Sequence, residues 1–148
     1  MSDGSPDLGM LNLIVKDVPA SVEFYRQLAG VEPAGVEGEH THVQLTMPSG
    51  FSLELDAADS VRLWHAGWRA DPWSATVVVG FSFDSREAVD ARYAALTAAG
   101  YTGRQPPFDA FWGARYAIVA DPDGNDVGLM SPMDDSRRSW PPTESPEA

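Results

Sequence analysis

The side chains best placed to do chemistry are His40, His42 and Glu54. His40 and His42 stand two apart in a segment patterned as a β-strand, so they share one face at a spacing of roughly 6.5–7 Å. Histidine with a carboxylate is a common ligand set for zinc or iron. The same residue types can also serve as a general base, which makes Glu54 and His42 the candidate catalytic residues. Two readings stay open. A displaced metal site is one, though no strong third donor shares the matching strand face; cleft-lining or surface histidines are the other. None of the three histidines has a Ser–His–Asp partnership readable from the sequence. Asp121, Asp123 and Asp126 lack the twelve-residue spacing and closing Glu of a calcium loop and read as turn residues. The glycines near Gly113 and Gly124 also read as turn residues, and there is no phosphate-binding glycine loop.

Aromatic residues are the second feature. Trp64, Trp68 and Trp73 fall in a stretch between two patterned halves, and Phe108, Phe111 and Trp112 form a later cluster. In a short helix Trp64 and Trp68 would share a face at i and i+4. Large aromatics dominate cores and interfaces, and packing is the favoured reading of Trp112. For the linker tryptophans a ligand wall, an apolar surface with a few polar groups, stands beside packing. Charge points the same way. Acids outnumber bases 22 to 10, for a net charge of −12, and between residues 8 and 131 the ratio is still 16 to 8. Such a surface is a poor partner for nucleic acid, whose phosphates need a basic footprint. It attracts cationic ligands, and it also serves solubility.

The elements that must carry these residues come in two copies. The chain has 148 residues and 43% hydrophobic content, enough for one domain or two small halves sharing a core. A strand over Leu11 to Val15 meets Asp17, then a helix over Ala20 to Ala29 closed by Gly30. Val77 to Phe83 meets Asp84-Ser85, then a helix from about Arg86 to Ala99 closed by Gly100. Each helix has a polar N-cap, a C-terminal glycine and an apolar stripe: Val22, Tyr25 and Leu28 in the first, Val89, Tyr93 and Leu96 in the second. Pro48-Ser49-Gly50-Phe51-Ser52-Leu53-Glu54-Leu55 recurs as Pro122-Asp123-Gly124-Asn125-Asp126-Val127-Gly128-Leu129, a Pro-x-Gly turn leading into an alternating strand. Two matching pairs in the same order indicate an internal duplication. Each half then reads strand–helix–strand–strand–strand. Strand parity places Val43, Leu45, Leu53 and Leu55 under the helices and His42, Gln44, Ser52 and Glu54 on the other face.

The run Val15-Lys16-Asp17-Val18-Pro19-Ala20-Ser21-Val22-Glu23-Phe24-Tyr25-Arg26, with Phe111-Trp112-Gly113-Ala114-Arg115-Tyr116 and Asp121-Pro122-Asp123-Gly124-Asn125, resembles the vicinal oxygen chelate superfamily. This group holds glyoxalases, bleomycin-resistance proteins and extradiol dioxygenases. The resemblance implies an α+β fold of two tandem βαβββ modules that form a curled mixed-sheet cup with the helices outside, and it makes a homodimer the usual assembly. It divides the chain into a disordered N-terminus (1–7), a first module (8–56), a Trp-rich linker (57–75), a second module (76–131) and a flexible C-terminal tail (132–148). Together with the parity argument it points Met10, Asn12, His42, Gln44, Glu54, Val78 and Met130 into the cleft, with Trp64, Trp68, Phe111, Trp112 and Tyr116 as further ligand-contacting candidates. The family's metal-ligand positions fall on Met10, Glu54, Val78 and Gly128, of which Glu54 alone suits a hard or borderline divalent ion.

These observations lead us to expect a metal-independent protein without a cofactor. It would bind a hydrophobic or cationic small molecule, such as a drug or natural product, in an aromatic, acidic cleft. The alternatives are a cofactor-free isomerase or lyase with Glu54 or His42 as base, or a lyase or dioxygenase with an atypical metal set. No cysteine is present, which excludes disulfides and thiolate chemistry. No apolar run is long enough to span a membrane, and the first seven residues lack a signal-peptide pattern, so a cytoplasmic location is expected.

Overall fold

A computed structural model describes residues 4–34, 41–69, 76–120, 124–142 and 146, with the side chains of Phe24, Gln27 and Leu28 excepted. His40, Trp73, Asp121 and Asp123 therefore lie outside the described residues, as does the Leu28 side chain. In chain order the elements are β1 (Asp7–Val15), α1 (Val18–Ala29), β2 (His42–Thr46), β3 (Ser52–Ala57), a 3-10 turn (Ala58–Leu63), β4 (Val77–Ser82), α2 (Arg86–Ala98), β5 (Gly103–Asp109), β6 (Arg115–Ala120), β7 (Asp126–Met130) and a second 3-10 turn (Asp135–Arg137).

Local chemistry sets the helix ends where the sequence places them. The Asp17 carboxylate accepts from the Ala20 amide at 3.0 Å, Pro19 sits in the first turn, and Gly30 closes α1 in the left-handed region. In α2 the Ser85 hydroxyl accepts from the Ala88 amide at 3.1 Å. Ser85→Ala removes that cap and is expected to cost about 1 kcal/mol, read from urea melts of the two proteins. An unchanged midpoint would show that the cap is dispensable.

The strands form one open mixed sheet of seven among the described residues, in the order β2-β3-β1-β4-β7-β6-β5. The duplication is visible in its pairing. In each half the first strand runs parallel to the last, Met10 opposite Ser52 in β1–β3 and Val78 opposite Asp126 in β4–β7. The halves join through the antiparallel β1–β4 pair, which makes the seven described strands one continuous sheet. In the first module the chain after α1 is described only as far as Ala34, which bridges to Gln44. No helix among the described residues is long and apolar enough to cross a membrane.

Three apolar clusters follow from parity. Val18, Val43, Leu45, Leu55 and Ala57 pack beneath α1 with Val22 and Tyr25, and Phe83, Val89, Ala117, Val119 and Leu129 beneath α2 with Tyr93 and Leu96. The third lies on the opposite, concave face and is built partly from the linker. Val61 and Trp64 pack against Val78, Ala110, Tyr116 and Ile118, with Trp68 and Trp112 at the margin. Burial of a large apolar side chain stabilises by roughly 3 kcal/mol, which explains why the connecting segment collapses into the cup. Trp64 and Trp68 share this cluster but not a helix, because the 3-10 turn ends at Leu63.

Part of the stretch expected as a loose tail, between Asp134 and Trp140, makes contacts with the body. The Asp134 amide donates to the Gly113 carbonyl at 3.0 Å and the Ser139 amide to the Phe111 carbonyl at 2.9 Å. Trp140 packs against Phe111 in a tilted arrangement, with ring centroids 5.2 Å apart. Aromatic contact and satisfied backbone groups outweigh the disorder that proline and charge suggest.

Candidate functional site

The concave face differs between its halves. The second-module half is filled: Val78 is fully enclosed, and Trp64, Tyr116 and Met10 nearly so. These expected cleft residues form the floor and packing of the cup. Phe111, Trp112, Trp68 and Met130 are half-buried, and Trp112 Nε1 donates to Met130 Sδ at 3.3 Å.

The first-module half is polar. The hairpin turn at Pro48–Gly50 pairs β2 with β3 so that His42 lies opposite Asp56 and Gln44 opposite Glu54, while β1 brings Asn12 beside Glu54 from the other side. Asp56, with only 6% of its side chain exposed, is the hub. His42 Nδ1 donates to its Oδ1 at 2.8 Å and Asn12 Nδ2 to its Oδ2 at 2.9 Å. Glu54 is held more loosely, with His42 Nε2 at 3.4 Å from one oxygen and the Ser52 hydroxyl at 3.4 Å from the other. Its side chain is 15% exposed and that of His42 29%. The structure thus brings Asn12, His42, Gln44 and Glu54 together on adjacent strands.

Charge and burial shift both titrating groups. Burial pushes the Glu54 carboxyl above its ordinary value; the charge of Asp56 adds to this, while His42 and the Ser52 hydroxyl oppose it. Burial works against a charged His42, but the hydrogen bond and charge of Asp56, with the charge of Glu54, outweigh it and raise its pKa. Both carboxyls thus favour the imidazolium form of His42, which stands between them, one of them weakly satisfied.

A second His–Asp pair occupies the other half. His65 Nε2 donates to Asp126 Oδ2 at 3.1 Å, and Arg104 Nη1 donates to Oδ1 at 2.9 Å. Asp126 is fully buried at the start of β7, not in a turn. Both described histidines thus have aspartate partners that the sequence reading missed. The hairpin register could have revealed Asp56, since a turn centred on Ser49 sets His42 against it. No local signal could have revealed His65 and Asp126, which are 61 residues apart.

The metal positions implied by the resemblance do not fit a divalent ion. Val78 and Gly128 offer no side-chain donor and Met10 only a soft thioether, so Glu54 is the one hard donor of the four. The space a side chain at Gly128 would need is taken by the Tyr116 ring, whose hydroxyl would stand 2.8 Å from an added Cβ. Met10 lies over Gly80 in the same manner, its Cγ 2.6 Å from the corresponding point. Among the described residues no three His, Cys, Asp or Glu side chains are grouped to hold a metal.

Comparison with known proteins agrees with the architecture. The sequence pattern of the Glyoxalase/Bleomycin resistance protein/Dioxygenase superfamily matches residues 7–129. No curated protein matches the chain. Among solved structures, it is similar to an NAD-dependent benzaldehyde dehydrogenase from Legionella pneumophila, at 22% identity, TM-score 0.64, covering 82% of this chain and 96% of that one. It is similar to the Mn(II)-bound glyoxalase from Novosphingobium aromaticivorans at 21% identity and TM-score 0.54, covering 86% of this chain and 38% of that one. A superfamily member from Vibrio splendidus 12B01 gives 17% identity and TM-score 0.55, covering 86% of this chain and all 100% of that one. At these identities the likeness shows the fold alone.

Proposed function

Because the chain belongs to the Glyoxalase/Bleomycin resistance protein/Dioxygenase superfamily, we propose that it is a metal-independent small-molecule binding protein, which sequesters a hydrophobic or cationic drug or natural product on the polar half of its concave face. The observation that carries this reading is the contrast between two neighbouring carboxylates. Asp56 is saturated by contacts of 2.8 and 2.9 Å, whereas Glu54, equally committed to the concave face, has only two contacts of 3.4 Å. A mostly buried carboxylate with unused acceptor capacity is an anchor for an ammonium, amide or hydroxyl proton. The negative surface favours approach of a cation.

Tryptophan-fluorescence titration of the purified protein against a panel of cationic and neutral natural products tests this, with product analysis of each mixture. Glu54→Gln keeps the shape and removes the charge; it is expected to weaken cationic ligands about tenfold or more, since a hydrogen bond to a charged group contributes about 1.5–3 kcal/mol. Equal affinity in both proteins would remove Glu54 from the site. A stoichiometric divalent ion found by elemental analysis would overturn the metal-independent reading.

One observation favours a second reading. Asp56 orients His42 through Nδ1 and leaves Nε2 facing Glu54, an arrangement suited to proton transfer in a cofactor-free isomerisation or lyase step. A compound recovered chemically converted would establish this reading over pure binding.

A further inference from the structure

We infer that Asn12 is a second acceptor in the same site and that the ligand is a cation rich in N–H groups, a protonated primary amine, amidine or guanidine. Asn12 stands opposite Glu54 on the neighbouring strand, pinned by Asp56, and offers its carbonyl oxygen to one N–H while Glu54 takes another. This rests on the binding reading above and narrows its ligand class, excluding quaternary ammonium compounds.

Strand register places the pair. β1 runs parallel to β3 with Asn12 opposite Glu54, and β2 runs antiparallel to β3 with Gln44 opposite the same residue. Gln44, Glu54 and Asn12 therefore form one row across three adjacent strands, each neighbour one strand spacing, about 4.8 Å, from the next. All three are half-buried, so the row is open in part to solvent. Next to Asn12 comes Val78 on β4, fully enclosed and packed against Val61 and Trp64. The polar row thus ends at Asn12 on that side.

The Asn12 amide is held in one orientation. Its Nδ2 lies 2.9 Å from Asp56 Oδ2, and a carboxylate only accepts, so the nitrogen faces Asp56 and the carbonyl Oδ1 is turned away. Asp56 is itself fixed by His42 at 2.8 Å. Among the described residues Asn12 Oδ1 accepts no hydrogen bond. Gln44 differs: its Nε2 reaches only Thr46 Oγ1, at 3.5 Å, from the edge strand β2. An acceptor already held in place costs less to order on binding, which singles out Asn12 over Gln44.

The chemistry of the two acceptors selects the ligand. Glu54, with its two contacts of 3.4 Å, and Asn12 Oδ1 both need protons from whatever covers them. A cation without N–H groups answers the charge of Glu54 but leaves the Asn12 carbonyl desolvated and unpaired. Methylating an amine removes its donors while keeping its charge, so it separates the acceptors from the field of the protein.

Three probes make that comparison at pH 8, where all are cationic: phenethylamine with three N–H donors, N,N-dimethylphenethylamine with one, and phenethyltrimethylammonium with none. Dissociation constants are measured by ligand-observed NMR for the wild type, Asn12→Ala, Gln44→Ala and Glu54→Gln. In the wild type, affinity is expected to fall with each loss of donors, by about tenfold or more from the primary to the quaternary amine. Asn12→Ala is expected to weaken phenethylamine about 3- to 10-fold and leave the quaternary probe unchanged, so that the preference shrinks. Gln44→Ala is expected to change the preference less than Asn12→Ala. Glu54→Gln is expected to weaken all three probes, because it removes the charge. The wild-type series needs no variant to fold: a quaternary probe that binds it as tightly as the primary amine overturns the inference. So does an Asn12→Ala variant that weakens all three probes by the same factor, or a larger loss of preference in Gln44→Ala. In each of those cases weaker binding to Glu54→Gln leaves the Glu54 reading standing. Failure of all three probes to bind the wild type sinks both.

Discussion

Asp56→Ala is expected to destabilise the protein by about 2–3 kcal/mol, a drop of roughly 5–10 °C in melting temperature for a domain of this size. Asp56 is nearly buried and accepts from both His42 and Asn12, on the strands either side of its own. Its loss strands two polar groups in a half-closed site, and leaving a buried partner unpaired commonly costs 3–5 kcal/mol. His42 keeps 29% of its side chain exposed, so water compensates part of that cost and the lower figure is expected. Asp56→Asn separates charge from shape. It retains an acceptor for His42 but withdraws the negative charge that raises the His42 pKa.

The pH dependence follows from the direction of that shift. The folded-state pKa of His42 lies above its ordinary 6.5, so its pairing stabilises fully below about pH 6.5 and is lost as pH rises through the folded value. Glu54 is also shifted upward, from 4.5, so the folded state favours its protonated form and stability from this group declines above about pH 4.5. Both groups make the site less stable as pH rises. Urea melts between pH 6 and 9, with NMR titration of His42, are expected to show this decline in the wild type. Asp56→Asn should show a lower His42 pKa and a flatter profile. A His42 pKa that is the same in both proteins would remove Asp56 from this role.

Gly113→Ala is expected to cost about 3 kcal/mol or more and to release the C-terminal segment. Gly113 has φ +94°, in the left-handed region where a side chain is strained by about 1–3 kcal/mol. An added Cβ would also press into the carbonyl oxygen of Asp134, which is backbone and cannot simply rotate away, and stand 3.1 Å from Arg138 Cγ. The Gly113 carbonyl itself receives the Asp134 amide at 3.0 Å. Hydrogen exchange reads the outcome directly: protection of the Asp134 and Ser139 amides should fall by two orders of magnitude or more, since about 3 kcal/mol is a factor above 100. Retained protection would show that the segment is anchored elsewhere.

Several elements are legible in the sequence alone. Asp17, Gly30 and Ser85 mark helix ends because capping acts within one turn. Alternation sorted Val43, Leu45 and Leu55 to the helix side and His42 and Glu54 to the other, because a strand has only two faces. The poor fit of Met10, Val78 and Gly128 to a metal could be read from residue types alone. Other features depend on tertiary contacts that the sequence does not show. The linker was open between a ligand wall and packing; in the fold Trp64 fills the second half of the cup. The stretch after Ser131 reads as disordered by composition, yet Phe111 and Gly113 supply the partners that hold it.

The sequence by itself determined a duplicated α+β chain with capped helices, two-faced strands and a donor set unsuited to the family's metal. These are consequences of interactions over a few residues, which side-chain type decides. Only the tertiary structure decided which distant polar groups meet. The local hairpin register already sets His42 against Asp56, but Asn12 reaches the same carboxylate over 44 residues and His65 reaches Asp126 over 61. Those meetings depend on strand order and register across the β3-β1-β4-β7 centre of the sheet, which chain topology and packing fix together.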